Sequence, residues 1–281
     1  MTKQIAIVVD DFGEHATINA AAVQLARAGR ISAISCMVGG PAWRDGATAL
    51  RELDRPHVDL GLHLDLTQYP LGESPRPLPR LIGAACLRRL DRRRLQSEVE
   101  RQCDAFEAAV GRAPDHVDGH QHVHQLPQVR EVLVDTLCRR YDPRPWLRDT
   151  RRARLADGLL DATQMRADTK AAVIERLGAG PLRRLAASRG VRQNRRLLGV
   201  HGLHADAPTY RRLLGAWLRI AETRDLLLAH PACTEGGIGA MAANRAAEYA
   251  VLSSAEFRDM LTTAQVEVMS MSGLLAQDDV R

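Results

Sequence analysis

The stretch Ile5-Ala6-Ile7-Val8-Val9-Asp10-Asp11-Phe12-Gly13 decides the class of fold. Its first five residues are apolar and mostly β-branched, which is typical of a strand buried on both faces of a parallel sheet. Two aspartates, a phenylalanine and a glycine then interrupt the aliphatic run. The stretch therefore predicts a buried parallel strand with two acidic residues at its carboxyl end.

Further short segments, several of them apolar, alternate with segments of helical periodicity along the chain. They predict further strands at residues 32–38, 58–64, 116–120, 145–148, 197–201, 225–230 and 266–269. Helices are predicted at residues 15–28, 43–53, 91–110, 127–139, 208–221 and 254–263. The repeated alternation indicates an α/β fold with a parallel sheet and helical crossovers, and the length suits a (β/α) barrel, complete or distorted.

The 281 residues are predicted to form one domain, because a barrel can absorb this length around a single core. Two segments are less regular. Residues 67–83 are rich in proline and glycine and are predicted to form a loop. Residues 151–196 are rich in arginine and carry predicted helices only at 169–177 and 182–188. We interpret 151–196 as an insertion or lid within a single domain over residues 1–281.

The composition excludes several classes of protein. With 45% hydrophobic residues, 26% charged residues and no aliphatic run of about eighteen, the chain is predicted to be globular, without a transmembrane segment. Its start lacks the apolar core and cleavage site of a signal peptide, so a cytoplasmic location is expected. Five cysteines without a CxxC pair indicate reduced thiols. The net charge of +5 suits an anionic surface, but three Phe, three Trp and four Tyr leave little to stack on bases, so no nucleic-acid partner is expected.

Aspartate and histidine residues gather at the predicted carboxyl ends of the strands. In barrels and open α/β sheets, this edge holds the residues that bind and transform ligands. Here it receives Asp10, Asp11, His63, His120, His201 and His230. Any one of these histidines could instead be a hydrogen-bonded structural residue. Together, however, two histidines and a carboxylate are what a divalent metal with open coordination positions requires.

The adjacent Asp10 and Asp11 are expected to have separate roles, because successive residues of a strand point in different directions. One of them can bind a metal while the other acts as a general base. The alternative is that an aspartate caps the helix that follows.

The segment His116-Val117-Asp118-Gly119-His120-Gln121-His122-Val123-His124 allows two geometries. A helix would place His120 and His124 on one face, at a spacing that lets both reach one metal. An extended strand would instead place every second residue of the segment on one side. Because the glycine before His120 indicates a turn, His120 is the preferred ligand and His124 a second candidate, with His122 supporting or buried. Asp118 could orient a ligand histidine.

Five motifs follow one another along the chain. They are Val9-Asp10-Asp11-Phe12-Gly13, Val38-Gly39-Gly40-Pro41-Ala42, Gly61-Leu62-His63-Leu64, the histidine-rich segment 116–124 followed by Pro127, and Ala229-His230-Pro231. In this order they resemble the signatures of the YdjC-like carbohydrate deacetylases, also called the chitooligosaccharide and hopanoid-associated deacetylase family. The resemblance spans nearly the whole chain, and the histidine-rich segment is its most specific part. It implies a distorted (β/α) barrel of the glycoside hydrolase/deacetylase type and metal-dependent removal of an acetyl group from an N-acetylated sugar.

Carried over position by position, the resemblance implies that Asp11, His63 and His120 bind the metal. It makes Asp10 the catalytic base and His230 the general acid. Four further residues are additional candidates for the site: His124, Arg148, Asp118 and His201.

Two parts of the sequence leave the resemblance open. Arg148, at the end of the predicted fifth strand, either holds Asp10 ionised or is a surface arginine. The stretch Gly199-Val200-His201-Gly202-Leu203-His204 stands where the family often has an aromatic-glycine pair. This departure leaves the catalytic residues in place and leaves the identity of the sugar undecided.

Other functions and several metals are compatible with the same residues. The cluster could serve a phosphoesterase or another amidohydrolase, and a protein without a base and an acid could bind sugars without catalysis. A mixed carboxylate and imidazole set suits zinc and tolerates magnesium, manganese, cobalt or nickel. The expected partner is an N-acetylated sugar, oligosaccharide or glycolipid, and a homodimer is left open.

Overall fold

The computed structural model describes residues 2–53, 57–153, 162–202, 205–233 and 241–277. Within them the strands are β1 (Lys3–Phe12), β2 (Ala33–Cys36), β3 (Asp59–Leu64), β4 (His116–Gly119), β5 (Trp146–Leu147), β6 (Leu197–Leu198), β7 (Leu226–Ala229) and β8 (Val266–Val268). The helices are α1 (Ala16–Arg27), α2 (Trp43–Arg51), α3 (Leu78–Cys86), α4 (Arg92–Val110), α5 (Val129–Arg140), α6 (Ala162–Arg176), α7 (Ala179–Ser188), α8 (Ala207–Ile220), α9 (Ala242–Ser253), α10 (Ala255–Thr263) and α11 (Met271–Ala276). A 3₁₀ segment, His120–Gln125, follows β4 directly. No helix in this part of the chain has both the length and the apolarity to cross a membrane.

The paired strands are parallel and follow the order β5-β4-β3-β2-β1-β7-β6. Strand β8 lies outside this order and pairs with the amino-terminal half of β1. At the two edges, single bridges join Leu147 to Gln193 and Arg152 to Leu197, so the sheet curls until its first and last strands approach each other. The predicted α/β fold with a distorted (β/α) barrel is confirmed.

Strand β1 lies in the middle of the sheet. Its residues 5–9 are fully buried, as the apolar run predicted. It pairs with β7 from Ala6 to Val9, with β2 through its carboxyl-terminal half and with β8 through its amino-terminal half. A strand that is covered on both faces is apolar at successive positions, which explains why the run lacks the alternation of a half-exposed strand.

Three helices, α3, α9 and α11, were not predicted from the sequence. Helix α3 begins inside the predicted loop 67–83, because a proline in the first turn of a helix lacks only an N–H that the helix does not use. Helix α9 buries Asn244, Arg245 and Glu248, which conceals its amphipathic pattern. The predicted strand 197–201 shrinks to two residues in β6, because Gly199 has a φ of +90° and ends the extended run.

The arginine-rich segment 151–196 forms the crossover between β5 and β6. Its residues 154–161 lie outside the described part of the chain. Helix α6 begins earlier than the helix predicted there, and the Ile174 carbonyl of α6 accepts a hydrogen bond from Gln125 Nε2 (2.9 Å). The crossover is thereby attached to the 3₁₀ segment after β4. A role as a lid stays a prediction.

The five cysteines are free thiols. Cys36 and Cys103 are buried in the core, and burial raises the pKa of the Cys103 thiol to about 11. Such thiols behave as small apolar side chains.

A buried carboxylate at the amino-terminal end of β3 makes the stability of the fold depend on pH. One oxygen of Asp59, Oδ2, accepts hydrogen bonds from Trp146 Nε1 (3.0 Å) and from the Ser272 backbone N–H (2.9 Å). Burial raises the pKa of Asp59 to about 6. The folded protein therefore binds this proton more tightly than the unfolded chain, so the stability that Asp59 contributes rises as the pH falls from about 6 towards 4.

We expect Asp59→Asn to remove this pH dependence, because the asparagine oxygen can accept both hydrogen bonds without burying a charge. At pH 7 the variant should be more stable than the wild type by about 1–3 kcal/mol, and the difference should shrink towards zero near pH 4. Urea unfolding of both proteins between about pH 4.5 and pH 7 measures the difference. Parallel stability profiles of the two proteins would contradict the prediction.

Candidate active site

Three candidate ligand residues come together at the carboxyl end of the sheet. Asp11 from β1, His63 from β3 and His120 from the 3₁₀ segment each offer one donor atom, and these atoms lie within 4.8 Å of one another. Asp11 Oδ1 is 2.9 Å from His120 Nδ1 and 3.4 Å from His63 Nε2. All three side chains are buried. The fold thus brings together the carboxylate and the two imidazoles that were predicted to bind a metal.

These donor atoms fit a divalent cation. Metal bonds of about 2.0–2.2 Å to carboxylate oxygen and imidazole nitrogen place neighbouring donors roughly 3 Å apart, close to the separations in this cluster. In addition, His120 Nε2 is buried and makes no hydrogen bond within the described residues, so this nitrogen is also free to serve as a ligand atom. The mixed oxygen and nitrogen set is compatible with zinc and with harder cations.

A bulge in β1 brings both aspartates to this cluster. Between Val9 and Phe12 the register with β2 shifts, so that three residue steps of β1 match two of β2. Asp11 adopts a φ of +66°, a left-handed conformation that residues other than glycine seldom take. Asp10 Oδ2 lies 3.8 Å and Asp11 Oδ1 3.4 Å from the same atom, His63 Nε2. Neighbouring residues of a regular strand point to opposite sides, and the bulge removes this alternation.

A buried arginine fixes Asp10. Arg148, just after β5, is fully buried and donates from Nη1 to Asp10 Oδ2 (2.7 Å) and from Nη2 to Asp10 Oδ1 (2.6 Å). Its Nη2 also contacts Asp118 Oδ2, which accepts a hydrogen bond from Ser35 Oγ at 2.6 Å. The burial excludes the alternative that Arg148 is a surface arginine. Two parallel hydrogen bonds set the plane of the Asp10 carboxylate.

Asp118 orients His63. Its Oδ1 accepts a hydrogen bond from His63 Nδ1 at 2.6 Å, which leaves Nε2 on the side of Asp11. Burial alone would raise the pKa of Asp118, but Arg148 and His63 hold it well below its usual range. For His63 burial acts in the opposite direction and by itself lowers the pKa, but the carboxylates of Asp10 and Asp118 raise the pKa well above its ordinary value. The cluster therefore stabilises a positive charge beside its carboxylates, which is the environment that a cation needs.

The histidines of the 3₁₀ segment face different partners. The segment is neither the regular helix nor the extended strand considered from the sequence, because its second and third residues have left-handed backbone angles. His120 contacts Asp11, whereas His124 Nε2 donates to the backbone carbonyl of Arg148 at 3.2 Å. His124 belongs to neither group of potential metal ligands found in the described ranges. The structure therefore separates His120 from His124.

Helix α9 contributes an arginine that the sequence analysis missed. Arg245 donates from Nη2 to Asp11 Oδ2 (2.6 Å) and to Glu14 Oε2 (2.9 Å). Burial would raise the pKa of Asp11, but Arg245 and His120 hold it well below its usual range. The available signal was the spacing of Asn244, Arg245 and Glu248, which places three polar side chains on one face of a helix.

His230 and His201 lie on either side of another residue of α9, Glu248. Oε2 of Glu248 accepts the His230 backbone N–H (2.6 Å), and Oε1 accepts His201 Nε2 (3.0 Å). The His201 ring therefore bonds to Glu248, and His201 belongs to neither group of potential metal ligands in the described chain. His230 Nδ1 is buried without a described hydrogen-bond partner. Burial lowers the pKa of His230, and the charges of Asp11 and Glu248 oppose this shift.

Two buried carboxylates fix the loop that follows β3. Asp65 accepts hydrogen bonds from the backbone N–H groups of residues 67–69, and Glu98 accepts those of residues 71 and 72. Gln102 joins the two carboxyl-bearing residues through hydrogen bonds to both. The loop is thus rigidly attached close to His63. The glycine-rich stretch 236–239, which follows His230 in the sequence, lies outside the described residues.

Comparisons with known proteins identify relatives of this chain. A carbohydrate deacetylase of Homo sapiens is 32% identical over 149 residues, which cover 48% of this chain and 45% of that protein. A chitooligosaccharide deacetylase of Serratia marcescens is 31% identical over 141 residues, 47% of this chain and 55% of that protein. The chain thus spans about half the length of the curated relatives that it matches.

The match extends further in structure and in family pattern. The crystal structure of a protein from Enterococcus faecalis V583 has a TM-score of 0.64 at 19% identity, covering 98% of this chain and 99% of that one, which shows a shared fold. The family pattern described as YdjC-like protein matches residues 4–263 and so includes every motif on which the resemblance was based. The chain belongs to the family of YdjC-like proteins.

Proposed function

We propose that the protein is a metal-dependent hydrolase that removes the N-acetyl group from an amino sugar, releasing acetate and a free amine. The observation that supports this most strongly is the buried cluster of Asp11, His63 and His120 beside a separate carboxylate, Asp10, fixed by Arg148. Amide hydrolysis needs an activated water, a base for its proton and an acid for the departing amine. The deacetylase names of the curated relatives support the same class of reaction.

Asp11, His63 and His120 would hold the cation. A divalent metal held there would lower the pKa of a water molecule and would supply positive charge to the acetyl carbonyl oxygen. The surrounding residues fix these ligands, since Asp118 orients His63 and Arg245 holds the second oxygen of Asp11. We propose zinc or magnesium as the ion, and the donor set tolerates both.

Asp10 is the proposed general base. Its Oδ2 lies 3.8 Å from His63 Nε2, so the carboxylate borders the ligand cluster and can take a proton from water that attacks the acetyl carbon. Arg148 keeps this carboxylate in one orientation. Because Arg148 also contacts Asp118, the arginine keeps an anionic partner when Asp10 becomes protonated.

His230 is the proposed general acid. It follows β7 at the same end of the sheet, and its Nδ1 makes no hydrogen bond within the described residues. Burial lowers the pKa of His230 overall, and the nearby carboxylates of Asp11 and Glu248 oppose this shift. A protonated imidazole can donate to the amine nitrogen, which is otherwise a poor leaving group.

The proposed substrate is an N-acetylated sugar, oligosaccharide or glycolipid. The names of the relatives support a carbohydrate, and the rigid loop after β3 would form one wall of its binding site. A single domain over residues 1–281, a cytoplasmic location, a homodimer and the lack of a nucleic-acid partner stay predictions.

Removal of metal should abolish activity, and its return should restore it. Dialysis against a chelator is expected to reduce acetate release from N-acetylglucosamine oligosaccharides by about 100-fold or more, because the oxyanion and the water lose the charge that stabilises them. Acetate release is then measured after separate addition of zinc, magnesium, manganese, cobalt and nickel. Full activity in protein shown to be free of metal would contradict the proposal.

Phosphate release from phosphoesters, measured in the same samples, separates the two hydrolase classes. Acetate release alone would support the deacetylase. Phosphate release without acetate release would replace it with a phosphoesterase. Sugar binding without either product would indicate a non-catalytic sugar-binding protein.

A further inference from the structure

Glu248 is a buried carboxylate that receives three hydrogen bonds near the proposed acid. It has no exposed surface. Oε2 accepts the His230 backbone N–H at 2.6 Å, and Oε1 accepts His201 Nε2 at 3.0 Å and Asn244 Nδ2 at 2.9 Å. A buried carboxylate is costly unless hydrogen bonds satisfy its oxygens. These three donors therefore define one position for the Glu248 side chain.

The hydrogen bond to His230 lies at the point where the sheet ends. Strand β7 ends at Ala229, so His230 is the first residue beyond the strand, and its N–H is bonded by Glu248. Two residues later, the Ala232 N–H donates to the backbone carbonyl of Arg245 at 3.0 Å. Helix α9 thus holds the chain on both sides of residue 231.

His201 supports Glu248 from the opposite side. Its ring packs against Tyr210 and Trp217, with ring centres 5.6 and 5.9 Å apart. Lys170 of helix α6 donates from Nζ to the His201 carbonyl at 2.7 Å. Packing and a hydrogen bond from the β5–β6 crossover therefore fix the imidazole that in turn fixes Glu248.

We propose that Glu248 is a positioning residue for His230. Its hydrogen bond to the His230 backbone N–H fixes this residue at the end of β7, so that the imidazole is held in position to protonate the amine nitrogen of the substrate. The proposal rests on the proposed role of His230 as general acid. A glutamine replaces Glu248 poorly, because it has one acceptor oxygen for donors that face both carboxylate oxygens, and its NH₂ group would face either the His230 N–H or the side chains of His201 and Asn244. An aspartate keeps the acceptors and the charge but is shorter by one methylene.

Charge alone does not make His230 dependent on Glu248. Asp10 and Asp11 of β1 and Arg245 of α9 also act on its ring, as does His122 of the 3₁₀ segment. Two carboxylates therefore remain near His230 when Glu248 is replaced. The loss expected in Glu248→Gln is mainly one of position.

An experiment without substrate tests directly whether the hydrogen bond to Glu248 fixes His230. In ¹⁵N-labelled protein, we expect the His230 amide proton to exchange with solvent at least about 10-fold faster in Glu248→Gln than in the wild type, because the single amide oxygen faces the two side-chain donors of His201 and Asn244 and turns the NH₂ group towards the His230 N–H. The ring signals of His230, assigned from His230→Ala, should broaden or split. The matched control is Glu107→Gln on α4, where the carboxylate accepts hydrogen bonds from Arg140 and Tyr141 and, among the described residues, has no hydrogen bond to a histidine. It should leave both readouts unchanged.

Kinetics then test whether Glu248 acts through His230. Glu248→Gln should lower kcat for acetate release by about 10- to 100-fold with KM within about 2-fold, and Glu248→Asp should recover part of the loss. Added to His230→Ala, it should cost nothing further.

Each result bears on one proposal. Unchanged exchange and ring signals in Glu248→Gln, or a full additional loss in the His230→Ala background, would overturn the role of Glu248. A wild type that releases no acetate would instead contradict the proposed function, while the exchange measurement would still decide whether Glu248 fastens His230.

Discussion

Replacement of Asp10 by asparagine is expected to reduce kcat for acetate release by about 10²- to 10⁴-fold while the protein keeps its metal. An asparagine cannot take a proton from water, whereas Asp11, His63 and His120 keep their positions. Its oxygen can still accept one hydrogen bond from Arg148, which retains Asp118 as an anionic partner. Acetate release and metal content per chain, measured on the same preparations, check both parts of the prediction.

A surface variant provides the control for Asp10→Asn. Asp206 is exposed and caps helix α8 by accepting the Thr209 N–H at 2.9 Å. Asparagine caps helices equally well, so Asp206→Asn should change neither activity nor metal content. Full activity of Asp10→Asn would remove Asp10 from the mechanism. Loss of metal would instead make Asp10 a ligand, in the second possible group with His63 and Asp118.

Replacement of Arg148 by methionine is expected to lower the free energy of unfolding by about 3–5 kcal/mol. Arg148 is fully buried between the carboxylates of Asp10 and Asp118. Methionine fills part of the space but leaves two buried negative charges without their cation. Urea unfolding of the metal-free proteins measures the loss without a contribution from bound metal.

Two further variants separate charge from shape at Arg148. Arg148→Lys keeps the charge but cannot make two parallel hydrogen bonds, so it should fold and lose less stability than Arg148→Met. Adding Asp118→Asn to Arg148→Met removes one unpaired carboxylate and should recover part of the loss. Wild-type stability in Arg148→Met would show that the arginine does not compensate these charges.

The strands and their carboxyl ends could be predicted because the information is local. Fully buried parallel strands are short apolar runs, and β1 and β7 each contain such a run, whereas β3 has a leucine at every second position. Once they are placed in one sheet, the residues at their ends must meet at one edge. On this basis Asp11 and His63 could be predicted to lie close together, although 52 positions separate them in the sequence.

The parts that escaped prediction depend on contacts distant in the sequence. Nothing local to Arg148 indicates burial, since it requires Asp118 and Asp10, the latter 138 positions away. Helix α9 buries Arg245 and Glu248, so a pattern that assigns polar residues to solvent misplaces its inner face. The bulge at Asp11 is likewise a feature of the pairing between β1 and β2, which a strand-by-strand analysis does not contain.

The central place of β1 also affects the synthesis of the protein. This strand is translated before its three sheet neighbours, and two of them, β7 and β8, follow it by more than 200 residues. Until β7 and β8 have been translated, β1 therefore presents unpaired backbone groups that can pair with other chains. Asp11 also meets Arg245 only after more than 230 further residues have been translated. A nascent chain that is paused or truncated before residue 226 would lack β7, α9 and β8, and we expect it to need a chaperone to stay unaggregated.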